Sequence, residues 1–222
     1  MPRIARFIPE NSYFHILSRG NNKQTIFFDR NDFTSFFGFL KTCRDRFLWK
    51  IYHYVLMSNH YHLILYNEKK ENLSDGAKLL NLMYVQYFRK KYGGVGHFWQ
   101  DRFRSFVIQN GKYLLECGRY IELNPVKAGL VEKPEGYTWS SYNFYAAGKK
   151  SRIITPSEEY LGLSDNELTR QKLYREFVYD ALKEKRQLER YFRRGYYGDE
   201  KIGKELKISG LIERNWKRGP KK

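Results

Sequence analysis

The run Val55-Leu56-Met57-Ser58-Asn59-His60-Tyr61-His62-Leu63-Ile64-Leu65 decides how this chain folds. Apolar and aromatic residues flank the polar pair Ser58-Asn59 on both sides. The stretch therefore reads as two strands, Ile51 to Met57 and His60 to Tyr66, joined as a hairpin. A strand alternates its side chains between two faces. His60 and His62 accordingly project from one face, and Tyr61 from the other.

Upstream, Tyr13 to Ser18 reads as a first strand, followed by the turn-rich Arg19-Gly20-Asn21-Asn22. Phe33, Phe36, Phe37, Leu40, Cys43 and Phe47 recur at helical spacing, with Asn31 or Asp32 as the expected cap. Downstream, a second helix is predicted from an N-cap at about Ser74, through Leu79, Leu80, Met83, Tyr87 and Phe88, to a stop at Gly93-Gly94. Arg104 to Ile108 alternates as a strand. Asn110 is the expected cap of a third helix carrying Tyr113, Leu114, Cys117, Tyr120, Ile121 and Asn124, which Pro125 ends. The order β-α-β-β-α-β-α predicts an α+β fold of ferredoxin-like layout, a mainly antiparallel sheet with helices packed against it.

The character changes after about Gly148. Residues 164–222 hold 17 Lys and Arg against 10 Asp and Glu, a net of +7. A helix is predicted from Asp165 to Arg194, then a glycine-containing break at Gly195 to Gly198, a short helix, and the basic tail Lys217-Arg218-Gly219-Pro220-Lys221-Lys222. The expected organisation is one domain over residues 1–148 and a basic, mostly helical C-terminal extension over residues 149–222. Leu173, Tyr174, Phe177, Val178, Ala181, Leu182 and Leu188 form an apolar face that must pack, and the expected partner is the first domain.

The chain's 222 residues carry 41 Lys and Arg against 24 Asp and Glu, a formal charge of +17. That imbalance suits a polyanionic partner, because each phosphate neutralised releases condensed counterions. Charge alone does not choose the partner, since membrane-surface and ribosomal proteins share it. Aromatic residues make up 18% of the chain, enough to fill a core and still leave rings for base stacking. Cys43 and Cys117 stand alone among apolar neighbours, which predicts buried free thiols in a reducing cytoplasm. The N-terminal residues lack the apolar core of a signal peptide, and no apolar run approaches the roughly 18 residues of a membrane span. The expected protein is soluble and cytoplasmic, with no membrane partner.

Two imidazoles on one strand face suit a divalent cation. The same spacing fits two half-exposed structural histidines equally well. Tyr120 and Asn124 lie one helical turn apart, stacked on one face. A tyrosine of ordinary pKa, about 10, is neutral at pH 7 and needs a base or a nearby cation to become a nucleophile.

Four segments, in this order, resemble a known family. They are Ser18-Arg19-Gly20-Asn21-Asn22, Met57-Ser58-Asn59-His60-Tyr61-His62-Leu63-Ile64, Trp99-Gln100-Asp101-Arg102-Phe103-Arg104-Ser105, and the run from Tyr120 through Asn124-Pro125 to Val131. Together, over residues 13 to about 145, they resemble the REP-associated tyrosine transposases, within the single-tyrosine HUH (His-hydrophobic-His) transposases. The resemblance implies His60 and His62 as metal ligands, Asn124 as the polar residue completing the site, and Tyr120 as the nucleophile. It implies cleavage of single-stranded DNA dependent on Mg²⁺ or Mn²⁺, through a 5′-phosphotyrosine link, at hairpins of repetitive palindromic elements. Rejoining would draw on that link, without ATP.

Outside those roles, Arg102 and Arg104 flank Phe103, an arrangement that predicts phosphate contacts with the ring stacked on bases. Arg19, Asn21 and Asn22 are expected to form a DNA-reading loop. His97 is expected to pack locally, and His15 and His53 to be structural. The chain is expected to work as a monomer or homodimer. Two other readings stay open: a structure-specific nucleic-acid binding protein whose catalytic residues are unused, and a metal nuclease in which water attacks.

Overall fold

The computed structural model describes residues 8–109, 111–183 and 196–208. Five strands form one sheet: β1 (Ser12–Arg19), β2 (Lys50–Met57), β3 (His60–Asn67), β4 (Arg104–Ile108) and β5 (Tyr196–Tyr197), in the order β2-β3-β1-β4-β5. Every pairing is antiparallel except β4 with β5. The hairpin expected at Ser58-Asn59 is present, with Met57 paired to His60.

Alternation along the strands splits the core into two sides. Tyr61, Leu63 and Leu65 of β3 and Phe14 and Ile16 of β1 pack with helices α1 (Arg30–Phe47) and α2 (Lys70–Tyr92). Val55, Met57 and Ile64 face the other way and pack with Leu114, Cys117 and Ile121 of α3 (Lys112–Glu122). Cys43 and Cys117 are buried free thiols, one on each side.

Three helix boundaries differ from expectation. Asp29, rather than Asn31 or Asp32, caps α1: its Oδ1 accepts from Asp32 N at 3.1 Å, while the buried Asp32 carboxylate accepts from Phe28 N at 2.7 Å and Asp29 N at 3.3 Å. Asp32 is thus the reciprocal half of a capping box, a role its spacing alone did not separate from the cap itself. Helix α2 begins a turn before Ser74, from Lys69, which makes no side-chain cap. Leu73 is fully buried in this extra turn, so packing extends the helix past its best local start signal. Asn110 lies outside the described residues, and Gly111, at φ 71°, holds the cap position of α3. Pro125 does end α3, yet a further turn, α4 (Asn124–Lys127), follows directly, with the proline in its first positions.

The C-terminal half adds α5 (Tyr142–Ala147), α6 (Glu158–Leu161), α7 (Glu167–Lys183) and α8 (Glu200–Ile208). Tyr174 and Val178 of α7 are fully buried in one cluster with Leu115 of α3, Leu123 just after that helix, and Tyr142 and Tyr145 of α5. Leu188, Gly195 and the basic tail 217–222 lie outside the described residues. The expected break near Gly195 to Gly198 contains β5 instead. Tyr196 and Tyr197 pair with Val107 and Ile108, covering the open edge of β4.

One close approach seats α3 on the sheet. A Cβ on Gly118 would lie 2.6 Å from His53 Cε1, and the His53 ring is itself stacked on Tyr145 at 4.5 Å. Gly118→Ala is therefore expected to lower stability by about 1–3 kcal/mol through overpacking, outweighing a helix-propensity gain of about 1 kcal/mol. Chemical denaturation measures it, and an unchanged or higher stability would show that α3 does not sit this close to β2.

Candidate active site

Strand register sets two rows across the sheet on the α3 side. Met57, His60 and Arg19 lie across from one another, and beside them Val55, His62, Leu17 and Arg104. The His60 and His62 rings are 5.0 Å apart at 78°. His60 is half-buried, and its Nδ1 donates to Asn59 Oδ1 at 2.5 Å. Asn59 is oriented by its own amide nitrogen, which donates to Lys23 O at 3.2 Å. His62 is buried, with Nδ1 2.7 Å from Nε2 of His15.

All three rings are held neutral. Burial pushes His60 down to about 4, helped by the Arg19 guanidinium opposite. Burial pushes His15 down to about 3. His62 falls well below the usual histidine range through burial, then through His15, His60 and Arg19. Neutral imidazoles keep the lone pair that a metal needs.

Helix α3 carries Tyr120 to this face. Tyr120 is half-buried and packs on the cluster containing Val55 and Met57, the residues directly across from His62 and His60. Lys127, on α4, places its ammonium 4.5 Å over the Tyr120 ring. Asn124 uses its amide nitrogen to cap α3, donating to Ile121 O at 3.0 Å and Tyr120 O at 3.3 Å. Its Oδ1 is the atom left to serve a cation. Among the described residues no group of three or more His, Cys, Asp or Glu is gathered to hold a metal ion. The neutral imidazoles of His60 and His62, on one sheet face, are donors of the kind a divalent cation takes.

The basic residues divide. Arg19 and Arg104 share the face with the histidines. Asn21 and Arg102 line a separate cavity of about 980 Å³ between α2 and the segment before β4. The loop bearing Asn21 and Asn22 is tied to that segment by Asn21 N, which donates to Phe98 O at 2.8 Å, and Asn22 takes a left-handed φ of 48°. Phe103 is buried at 6% exposure in the α1/α2 core, so it is no stacking surface for a base. His97 is exposed on the cavity wall rather than packed.

Two neighbours of the site were not singled out by sequence reasoning. His15, expected to be merely structural, bonds His62; its place on β1, two and four positions from Leu17 and Arg19, was the available signal. Lys127 lies seven positions after Tyr120 across a proline break, which hides the juxtaposition from helical periodicity. His53 is structural as expected, buried and donating through Nδ1 to Glu122 Oε1 at 2.9 Å.

The family model described as "Transposase IS200 like" matches residues 9–124, from just before β1 to Asn124. No curated protein sequence matches the chain. The structure of the REP-associated tyrosine transposase bound to a REP hairpin aligns with a TM-score of 0.57 and 18% identity, over 72% of this chain and 93% of that one. At that identity the likeness is one of fold. A protein assigned as a transposase from Deinococcus radiodurans and the tRNA(His) guanylyltransferase of Saccharomyces cerevisiae align at TM-scores of 0.38 and 0.44, with 12% and 14% identity. They cover 55% and 78% of this chain and 96% and 79% of theirs, and at those scores neither carries an argument. With the family's model spanning more than half of the 222 residues, and with it β1 to β4 and α3, the chain belongs to the IS200-like transposase family.

Proposed function

We propose that this protein is a single-tyrosine transposase of the REP-associated kind, which cuts and rejoins single-stranded DNA beside a hairpin. The observation that carries this reading is the packing of Tyr120 on the α3-side cluster that contains Met57 and Val55, the residues across from His60 and His62 on one sheet face. Residues 1–148 would form the catalytic unit and residues 149–222 an extension that braces it through α7. The cytoplasm, where genomic DNA and reduced thiols coexist, is the expected compartment. Among the described residues no helix is long and apolar enough to cross a membrane.

In this reading Tyr120 Oη attacks the scissile phosphorus. The bond from phosphorus to the 3′-oxygen breaks, its electron pair leaves with that oxygen, and a proton completes the 3′-hydroxyl. The 5′-phosphate stays on Tyr120. The incoming 3′-hydroxyl of another strand reverses these steps and regenerates the tyrosine. The Lys127 ammonium, 4.5 Å over the ring, is the kind of nearby cation a tyrosine nucleophile needs. His60, His62 and Asn124 Oδ1 would hold Mg²⁺ or Mn²⁺, which when bound polarises the phosphate and offsets its developing charge. Arg19 and Arg104 flank the histidines and would fix the backbone phosphates. Arg102, Asn21 and Asn22 would contact DNA beyond them, around the cavity. The formal charge of +17 supports a polyanionic partner, and the fold relative bound to a REP hairpin supports a hairpin as its form.

Tyr120→Phe is expected to abolish the covalent protein–DNA adduct and reduce cleavage on the order of 10⁴-fold or more, while hairpin affinity stays nearly unchanged. A denaturing gel after incubation with a labelled hairpin and Mn²⁺ reads the adduct. Cleavage persisting in the variant would shift the reading to attack by water. Hairpin binding by wild type without any adduct would leave a binding protein with unused catalytic residues. For the metal, His60→Ala is expected to weaken Mn²⁺ binding in calorimetry by tenfold or more, and Asn124→Ala by less, since a neutral amide oxygen is the poorer ligand. Unaltered Mn²⁺ binding in His60→Ala would place the metal elsewhere.

A further inference from the structure

His15 sits in the middle of β1 at 1% exposure, and the reaction above gives it no part. Its Nε2 is 2.7 Å from His62 Nδ1, and the two rings are stacked 4.9 Å apart at 18°. A hydrogen bond between two neutral imidazoles needs one N–H and one lone pair, so two arrangements satisfy this distance. In one, His62 donates from Nδ1, and its Nε2 carries the lone pair. In the other, His15 donates from Nε2, His62 is protonated at Nε2, and His62 has no lone pair left to give a metal.

His60 shows which arrangement suits the site. Its Nδ1 faces Asn59 Oδ1, an atom that only accepts, so His60 is protonated at Nδ1 and offers Nε2. A metal-binding histidine generally gives its second N–H to an acceptor that fixes tautomer and ring orientation. We propose that His15 does this for His62: it is a positioning residue that accepts the Nδ1–H of His62 and so fixes Nε2 as the ligand atom. This rests on reading His60 and His62 as a metal pair. It also makes the site dependent on an acceptor that can itself turn donor, unlike the carbonyl oxygen serving His60.

The test combines a spectrum with a binding series. In the metal-free wild-type protein, two-bond ¹H–¹⁵N correlations should show His62 as the Nδ1–H tautomer. His15→Phe keeps a stacked ring but removes the acceptor, and Mn²⁺ affinity measured by calorimetry should fall about 10–100-fold. His15→Gln places an amide oxygen near the former Nε2 and should recover most of that loss. A merely structural His15 would change the melting temperature without this split between the two variants. A wild-type His62 protonated at Nε2, or wild-type Mn²⁺ affinity in His15→Phe, would overturn the proposal. If His15→Phe does not fold, the wild-type spectrum alone decides. Loss of affinity in His60→Ala but not in His15→Phe would sink only the positioning role. Unchanged affinity in both would sink the metal pair and this proposal with it.

Discussion

Everything at the site depends on how Glu122 is satisfied. It is a fully buried carboxylate at the end of α3, and burying an unpaired charge costs several kcal/mol. Three donors from three parts of the chain meet it: His53 of β2 at 2.9 Å, Ser141 before α5 at 2.5 Å and Tyr174 of α7 at 2.7 Å. Burial, reinforced by Glu122, raises Tyr174 well above the usual tyrosine range and keeps it a donor. The network locks α3 to the sheet on one side and to the C-terminal half on the other. Tyr120 lies two positions before Glu122, so the same contacts fix where its hydroxyl can go. Arg119, next to Tyr120, adds a second tie, with its guanidinium 4.3 Å over the Phe177 ring of α7.

Seen from the sheet, the two faces do different work. The α1/α2 side is a nearly continuous aromatic core, with Phe36 packed on Tyr61 at 4.8 Å and on Tyr84 at 5.3 Å. The α3 side is apolar under the helix and turns polar toward the hairpin tip, where His60, His62 and Arg19 gather. Burial there works against positive charge on the rings, and Arg19 works in the same direction. The result, in a strongly basic protein, is a neutral patch of lone pairs flanked by guanidinium groups.

Much of this was legible in the sequence because it is local. The hairpin about Ser58-Asn59, the β4 alternation and the apolar stripe of α3 all follow from side-chain period, and the structure places them within a residue or two. The misses are tertiary. Asp29 and Asp32 compete for one cap, and only the bonds separate them. The early start of α2 needs Leu73 buried in the core on the α1/α2 side, and β5 is two tyrosines paired to an open edge, too short for any periodic signal. His15 read as structural because its partner lies 47 positions away across a strand pairing. The Glu122 network draws donors from residues 53, 141 and 174, a convergence that no spacing rule contains.

On this account α3 carries Tyr120 to the same face on which His60 and His62 would hold the cation. Paramagnetic broadening by Mn²⁺ tests it directly, with 3-fluorotyrosine placed at position 120 in one sample and at position 92, on α2 across the sheet, in another. Titrating Mn²⁺ into each protein and following the ¹⁹F signal should broaden the label at 120 strongly and the label at 92 little, with His60→Ala abolishing the difference. A signal at 120 that stays sharp while Mn²⁺ binds, or that broadens no more than the one at 92, would contradict the account.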